Sequence, residues 1–243
     1  MHNITNLTRR RLLYASTASL LALGLGAGYV ETRRIEVSRL DMNIGRKIVF
    51  LTDLHINALG GVVEDSIRIV NEEAPDIIML GGDTVDEYTT DMKTVSRYLS
   101  ALEAQEKFAV MGNHEYWSGK AEELAKILKN LEFNILYDST ALSLAGKVYG
   151  LDWREDRKYP HIETEGIVLV HDPNAAVSIS GRAVILSGHT HGGIVIAGME
   201  LSNSIYSRGL YKLNERTTLY VSRGVGQMFP WRLTAPLELV IVE

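Results

Sequence analysis

Five short clusters of potential metal ligands punctuate this chain. They are Asp53-Leu54-His55, Gly81-Gly82-Asp83, Gly112-Asn113-His114-Glu115, His171-Asp172 and Gly188-His189-Thr190-His191. Five of the seven histidines fall inside them. A carboxylate can bridge two cations and offset their repulsion, while neutral imidazoles and an amide oxygen fill the remaining positions. The chain has no cysteine, so thiolate sites and disulfides are excluded. Mixed nitrogen and oxygen donors without sulfur suit Mn, Fe, Zn or Co better than an all-oxygen Mg or Ca site. Two such cations can activate water and clamp phosphoryl oxygens, so the chemistry to expect is metal-assisted hydrolysis. Taken singly, each cluster has a bland reading. His171 before Asp-Pro reads as a turn residue, and Asp83 after two glycines as a cap or turn. It is the set that carries the argument.

Each cluster closes a short apolar run, and those runs must position it. Strands are expected at Lys47–Thr52, Asp76–Leu80, Phe108–Met111, Phe133–Leu136, Lys147–Leu151, Ile167–Val170 and Ala183–Leu186. Further strands are expected at Ile194–Ala197, Thr218–Val221 and Leu237–Val242. Helical spacing covers Val62–Glu73, Asp91–Leu102 and Lys120–Leu131, the last with Leu124, Ile127, Leu128 and Leu131 on one face. Strands that are apolar throughout imply sheets covered on both sides. Strand–helix alternation early and strands late predict an α/β (α+β) fold, two packed mixed β-sheets sandwiched by helices. Ligands at the carboxyl ends of strands suit such sheets, because loops there converge while the strands stay rigid.

With 243 residues, 46% of them hydrophobic, the chain can bury one sizeable core. A net charge of −5 argues against an extended phosphate-binding surface, so no nucleic acid is expected as a structural partner. Thr8-Arg9-Arg10-Arg11-Leu12-Leu13 precedes an apolar stretch from Ala15 to Val30. This order resembles a twin-arginine export signal. The stretch is short for a membrane span, which needs about 20 apolar residues. Residues 1–40 are therefore expected to be a signal or membrane anchor, with residues 12–30 touching the membrane and the twin-arginine translocase as a partner. The catalytic domain is expected over 41–243. The expected location is the bacterial inner membrane, on the periplasmic side if exported, with the cytoplasmic face as the alternative.

The motif set resembles the calcineurin-like metallophosphoesterase superfamily: D-x-H, G-D, G-N-H-(D/E), a lone H and G-H-x-H, in that order, over roughly residues 47 to 191. Gly81-Gly82-Asp83, Gly192-Gly193, Arg223-Gly224-Val225-Gly226 and Pro236-Leu237-Glu238 are similar to a bacterial phosphodiesterase branch with twin-arginine signals or membrane anchors. The resemblance implies two divalent cations, Mn first, with Fe, Zn, Co or Mg as alternatives. It implies that Asp53, His55 and His191 hold one, that Asn113, His171 and His189 hold the other, and that Asp83 bridges them. It places His114 against substrate, stabilising charge or protonating the leaving group, with Asp53 or a neighbouring carboxylate orienting it. Glu115 would cap or support.

The implied function is a phosphodiesterase that cleaves a phosphodiester or pyrophosphate of the cell envelope, lipid-linked or not, by attack of a metal-bridging hydroxide. The alternatives are a UDP-2,3-diacylglucosamine pyrophosphatase of lipid A synthesis, a soluble nucleotide phosphodiesterase, and a metal-binding scaffold without catalysis. Arg223 and Arg232 could grip a second phosphate, or make salt bridges instead. Met228, Phe229, Pro230 and Trp231 read as core. Trp153 and Arg154–Lys158 read as a surface loop, and His2 and His161 as surface residues.

Overall fold

The structure is a computed structural model that describes residues 11, 13–19, 26, 32–57, 62–196, 199–228, 232 and 234–243. Two six-stranded sheets dominate it. The first runs β1 (Ile35–Leu40), β14 (Leu237–Val242), β2 (Ile48–Leu51), β3 (Ile77–Gly81), β4 (Glu106–Val110) and β5 (Asn134–Ile135) from edge to edge. The second runs β12 (Gly209–Lys212), β13 (Thr217–Val221), β9 (Ile179–Ser187), β8 (Ile162–Val170), β7 (Gly146–Leu151) and β6 (Ser139–Ser143). β2, β3 and β4 are mutually parallel, as are β7, β8, β9 and β13. A separate antiparallel hairpin pairs β10 (Ile194–Ile196) with β11 (Met199–Leu201).

The strands are apolar on both faces because both faces are covered. Ile48, Phe50, Ile77, Met79, Phe108 and Val110 meet Val148, Ile167, Leu169 and Leu186 between the sheets. The alternate residues Val49, Leu51, Ile78, Leu80 and Ala109 pack outward against the helices, which supply Val70, Val95, Leu99, Leu124 and Leu128. Those helices are α1 (Val63–Glu73), α2 (Met92–Ser100) and α4 (Ala121–Asn130). Over the second sheet's outer face lie a 3-10 helix, Pro173–Ser178, and loops bearing Tyr159 and Tyr206, with Tyr149 of β7 and Tyr211 of β12 packed against the same core.

The expected boundary at residue 40 cuts through a sheet. Ile35–Leu40 pairs in register with Leu237–Val242, so this stretch is an edge strand of the first sheet rather than part of a leader or linker. Among residues 1–31, positions 11, 13–19 and 26 are helical and exposed. The others, Arg9, Arg10 and His2 included, lie outside the described residues, as do Phe229, Pro230 and Trp231. No helix among the described residues is long and apolar enough to cross a membrane.

Candidate metal centre

The carboxyl ends of β2, β3 and β4 deliver Asp53, Asp83 and Asn113, and those of β8 and β9 deliver His171, His189 and His191. The parallel strands bring them to one end of the sandwich. Asp53, His55 and His191 offer one ligand atom each, all within 4.8 Å of one another. Asp83, His171 and His189 do the same. Asn113 joins the second trio, with Oδ1 3.1 Å from His171 Nε2 and 2.9 Å from His189 Nδ1. All seven expected ligands therefore converge. Asp53, His55, Asp83, Asn113 and His171 are buried, while His189 and His191 are half-buried.

The backbone is bent to do this. Asp53, His55, Asp83, His189 and His191 have φ of 52, 43, 51, 73 and 49°, the left-handed region. Asp and His enter that region more readily than most residues, yet each such conformation stores strain. The loops share a ladder that holds it: Asp53 N–H donates to Gly82 O at 3.0 Å, His55 N–H to Asp83 O at 3.0 Å and Ile56 N–H to Thr84 O at 3.0 Å. Two motif glycines make room. A side chain at Gly112 would collide with the Asp83 carboxylate, and one at Gly188 with Asp53 and Thr52.

Partners outside the cluster set the imidazole tautomers. His55 Nδ1–H donates to Asp86 at 3.2 Å, and His171 Nδ1–H donates to Gly81 O at 2.8 Å, so both Nε2 atoms face inward. His189 turns Nδ1 inward and sets Nε2 3.1 Å from the Asn203 amide. The inward nitrogens approach one another closely: His55 Nε2 lies 3.1 Å from His191 Nε2, and His189 Nδ1 lies 3.2 Å from His171 Nε2. Such a set of nitrogens, carboxylates and an amide oxygen fits two divalent cations. His191 differs, because Arg232 Nη2 donates to its Nδ1 at 2.8 Å. With Nδ1 accepting, the neutral ring carries its proton on Nε2, and ligation there costs that proton.

The charges agree with this picture. Burial and the neighbouring His171 cation push His189 down to about 4. Burial and Arg232 push His191 down as well. Burial opposes charge on His171, but the Asp83 and Asp53 carboxylates outweigh it and push this imidazole up to about 10. As a ligand, His171 would have to give up that proton throughout the range below pH 10. Affinity should therefore rise about tenfold per pH unit between pH 6 and 8. Competition against a chelating dye measures this, and a flat profile would show that His171 is not a ligand.

Glu115 is the buried keystone of the two central loops. Its carboxylate accepts N–H bonds from Asp83 at 2.9 Å, Thr84 at 2.5 Å, Val85 at 3.1 Å and Gly112 at 2.7 Å. It thus caps α3 (Asn113–Trp117) and supports the Asp83 loop together. Burial, then the Asp83 charge, pushes it up to about 6. Glu115→Ala would orphan four donors, each worth about 1–3 kcal/mol when buried unpaired. A loss of at least about 3 kcal/mol is expected in urea denaturation; an unchanged midpoint would refute the keystone role.

His114 follows Asn113 at the start of α3 and is not in either trio. Its backbone N–H donates to Asp83 Oδ1 at 2.9 Å, and its Nδ1 lies 2.8 Å from Glu87 Oε2. The neighbouring carboxylate is thus Glu87 rather than Asp53. The ring stands edge-on to His55 at 5.1 Å and to Trp117 at 5.2 Å.

The two arginines do not present themselves to the cleft as expected. Arg223 pairs with Glu36 at 3.0 Å and Glu238 at 3.1 Å. Arg232 is buried and spends its guanidinium on three carbonyls and His191. Arg232 thus backs His191, while Arg223 ties the carboxylates of β1 and β14 together. Trp153 is also not merely a surface residue: its ring lies 5.3 Å from His189 and 6.1 Å from His171. Arg157 forms a bidentate pair with buried Asp172 at 2.6 and 2.7 Å and holds Asn203 O at 2.9 Å. These residues come together through loops, and only Asp86, three residues after Asp83, could have been suspected from spacing. His161 is exposed, as expected.

Residues 46–193, more than half the chain, match the family model described as calcineurin-like phosphoesterase. The chain belongs to the calcineurin-like metallophosphoesterase family. It is 31% identical, over 96% of its length, to an uncharacterised metallophosphoesterase of Campylobacter jejuni, and spans 66% of that relative. It is 29% identical to phosphodiesterase YaeI of Escherichia coli over 98% of this chain and 99% of that one. The fold is also similar to that of an archaeal phosphodiesterase structure, with TM-score 0.46, 18% identity and coverage of 73% and 84% of the two chains.

Proposed function

We propose that this protein is a binuclear metal-dependent phosphodiesterase attached to the bacterial inner membrane. The observation that carries the reading is the convergence of seven ligand side chains, five of them held at left-handed φ. In this reading Asp53, His55 and His191 would hold one cation, Asn113, His171 and His189 the other, and Asp83 would serve both. Two cations of the Mn, Fe or Zn type, when bound, would supply an activated water and a clamp on the phosphoryl oxygens. His114, held by Glu87, faces the leaving group with its remaining nitrogen and gives it a proton. Glu115 and Asp86 keep the ligand loops in place. The likeness to a protein named phosphodiesterase favours a diester over a monoester. The apolar run from Ala15 to Val30 after three arginines favours an amino-terminal membrane attachment and an envelope substrate.

The test is hydrolysis of bis(p-nitrophenyl) phosphate and p-nitrophenyl phosphate by the full chain, with and without Mn. Mn-dependent cleavage, faster on the diester, is the expected result. Cleavage of neither compound by metal-loaded protein would overturn the reading.

A further inference from the structure

We propose that the end of the sandwich carrying the metal centre docks onto a lipid bilayer through the β10–β11 hairpin and Ile205, so that substrate enters from the membrane surface. This rests on the membrane-attached phosphodiesterase proposed above and adds the orientation of its cleft.

The hairpin is the first observation. Met199 and Leu201 share one face of β11, and Leu201 pairs with Ile194 across the hairpin. Met199 is 66% exposed, Leu201 62% and the nearby Ile205 70%. Apolar side chains clustered at this exposure mark an interaction surface, since soluble proteins rarely leave them contiguous.

The hairpin is also continuous with the candidate site. His191 lies three residues before Ile194, and Asn203, two residues after Leu201, touches His189. An open pocket of about 530 Å³ joins them, lined by His191, Ile194, Leu201, Asn203, Arg232 and Ala235. A lipid-like tail lying over the hairpin would therefore bring an attached phosphate to the ligand cluster.

Topology supplies the third argument. β1 is parallel to β14, and β14 is antiparallel to β2. β1 therefore starts at the end where β2 finishes at Asp53. Contacts trace the same path: Glu36 pairs with Arg223 at 3.0 Å, Arg232 donates to Arg223 O at 2.6 Å, and Arg232 reaches His191 at 2.8 Å. The uncharged apolar run ends at Val30, five residues before Ile35. Five residues span at most about 18 Å of chain. The chain that follows the run thus enters the domain at the end that carries the hairpin and the metal centre. A bilayer is the one occupant that would take both apolar segments together.

The absence of cysteine permits a clean test. Met199→Cys, Ile205→Cys and Leu142→Cys are made in the full chain and spin-labelled. They are then reconstituted in phosphatidylethanolamine–phosphatidylglycerol vesicles. Leu142 is 82% exposed on β6 but pairs with Lys147 near the start of β7, at the opposite end of the sheet. Labels at 199 and 205 should be relaxed by lipid-soluble oxygen and lose their response to an aqueous nickel complex, while the label at 142 should do the reverse. Aqueous accessibility at all three positions, or release of the chain from vesicles, would overturn the proposal. Shielding of 199 and 205 from both relaxants would reveal a protein partner or a second copy, and would overturn it too. Soluble-diester turnover by the same three proteins is read separately. Its absence would tell against the phosphodiesterase reading and leave the accessibility result interpretable.

Discussion

Asp83→Ala should lose bound metal and diester turnover together. Asp83 is buried, its Oδ2 lies 3.0 Å from His171 Nε2, and its Oδ1 takes the His114 backbone N–H. It is therefore both a ligand and the link between the second trio and α3. Burial works against its charge, but the His171 and His55 imidazoles hold it ionised far below the usual carboxylate range. If it bridges, its loss removes the negative charge that offsets repulsion between two cations. Losing a mere outer-shell partner typically costs about 10–100-fold in metal affinity, so a shared ligand should cost at least about 100-fold. Alanine at φ 51° also adds about 1–2 kcal/mol of backbone strain. Asp83→Asn separates the two effects, because Asn tolerates this conformation. It should keep the urea midpoint and still lose metal, as read by elemental analysis of dialysed protein. Two retained equivalents of metal in either variant would overturn the role of Asp83.

The candidate ligands were legible in the sequence because their chemistry is local. A D-x-H or G-H-x-H cluster places its donors within a few residues, and the apolar run before it names the strand that delivers it. The central strands were legible for the same reason that they are buried: Ile48–Leu51 and Ile77–Gly81 face a core on each side. β1 escaped notice because it followed a stretch that read as a leader. Its Glu36, Ser38 and Arg39 give it the polar look of an edge. β6 is another edge, mostly polar and exposed, with no period to find. α3 has only five residues, and Glu115 folded back on Gly112 defines its start rather than an apolar stripe.

Apart from Glu115 inside its motif and Asp86 just after Asp83, the residues that support the candidate ligands leave no mark in the sequence. Glu87 meets His114 from 27 positions away, Asn203 meets His189 across 14, and Arg157 reaches Asp172 across 15. Each contact depends on how a loop crosses the end of a sheet, which leaves no spacing signal. The same holds for Arg223 and Arg232. Their type fits phosphate binding, and only the fold reveals that carboxylates, carbonyls and His191 already occupy them.

His114→Ala should leave metal content intact and remove most turnover, the opposite pattern to Asp83. The ring lies outside both trios, and the contact that ties this residue to Asp83 comes from its backbone, which alanine retains. Metal ligation should therefore survive. What goes is the side chain that Glu87 positions at 2.8 Å. A positioned proton donor is worth about 10²–10⁴-fold in rate, and the loss should fall on kcat rather than KM. Leaving-group chemistry offers a sharper test. A p-nitrophenolate leaves without help, so His114→Ala should be least damaged on bis(p-nitrophenyl) phosphate and most damaged on a diester with an alkyl alcohol leaving group. Glu87→Gln should follow the same order with smaller losses, since it keeps a partner for Nδ1 but removes the charge. Equal losses on both leaving groups would assign His114 to charge stabilisation instead of proton donation. Loss of metal would place it among the ligands after all.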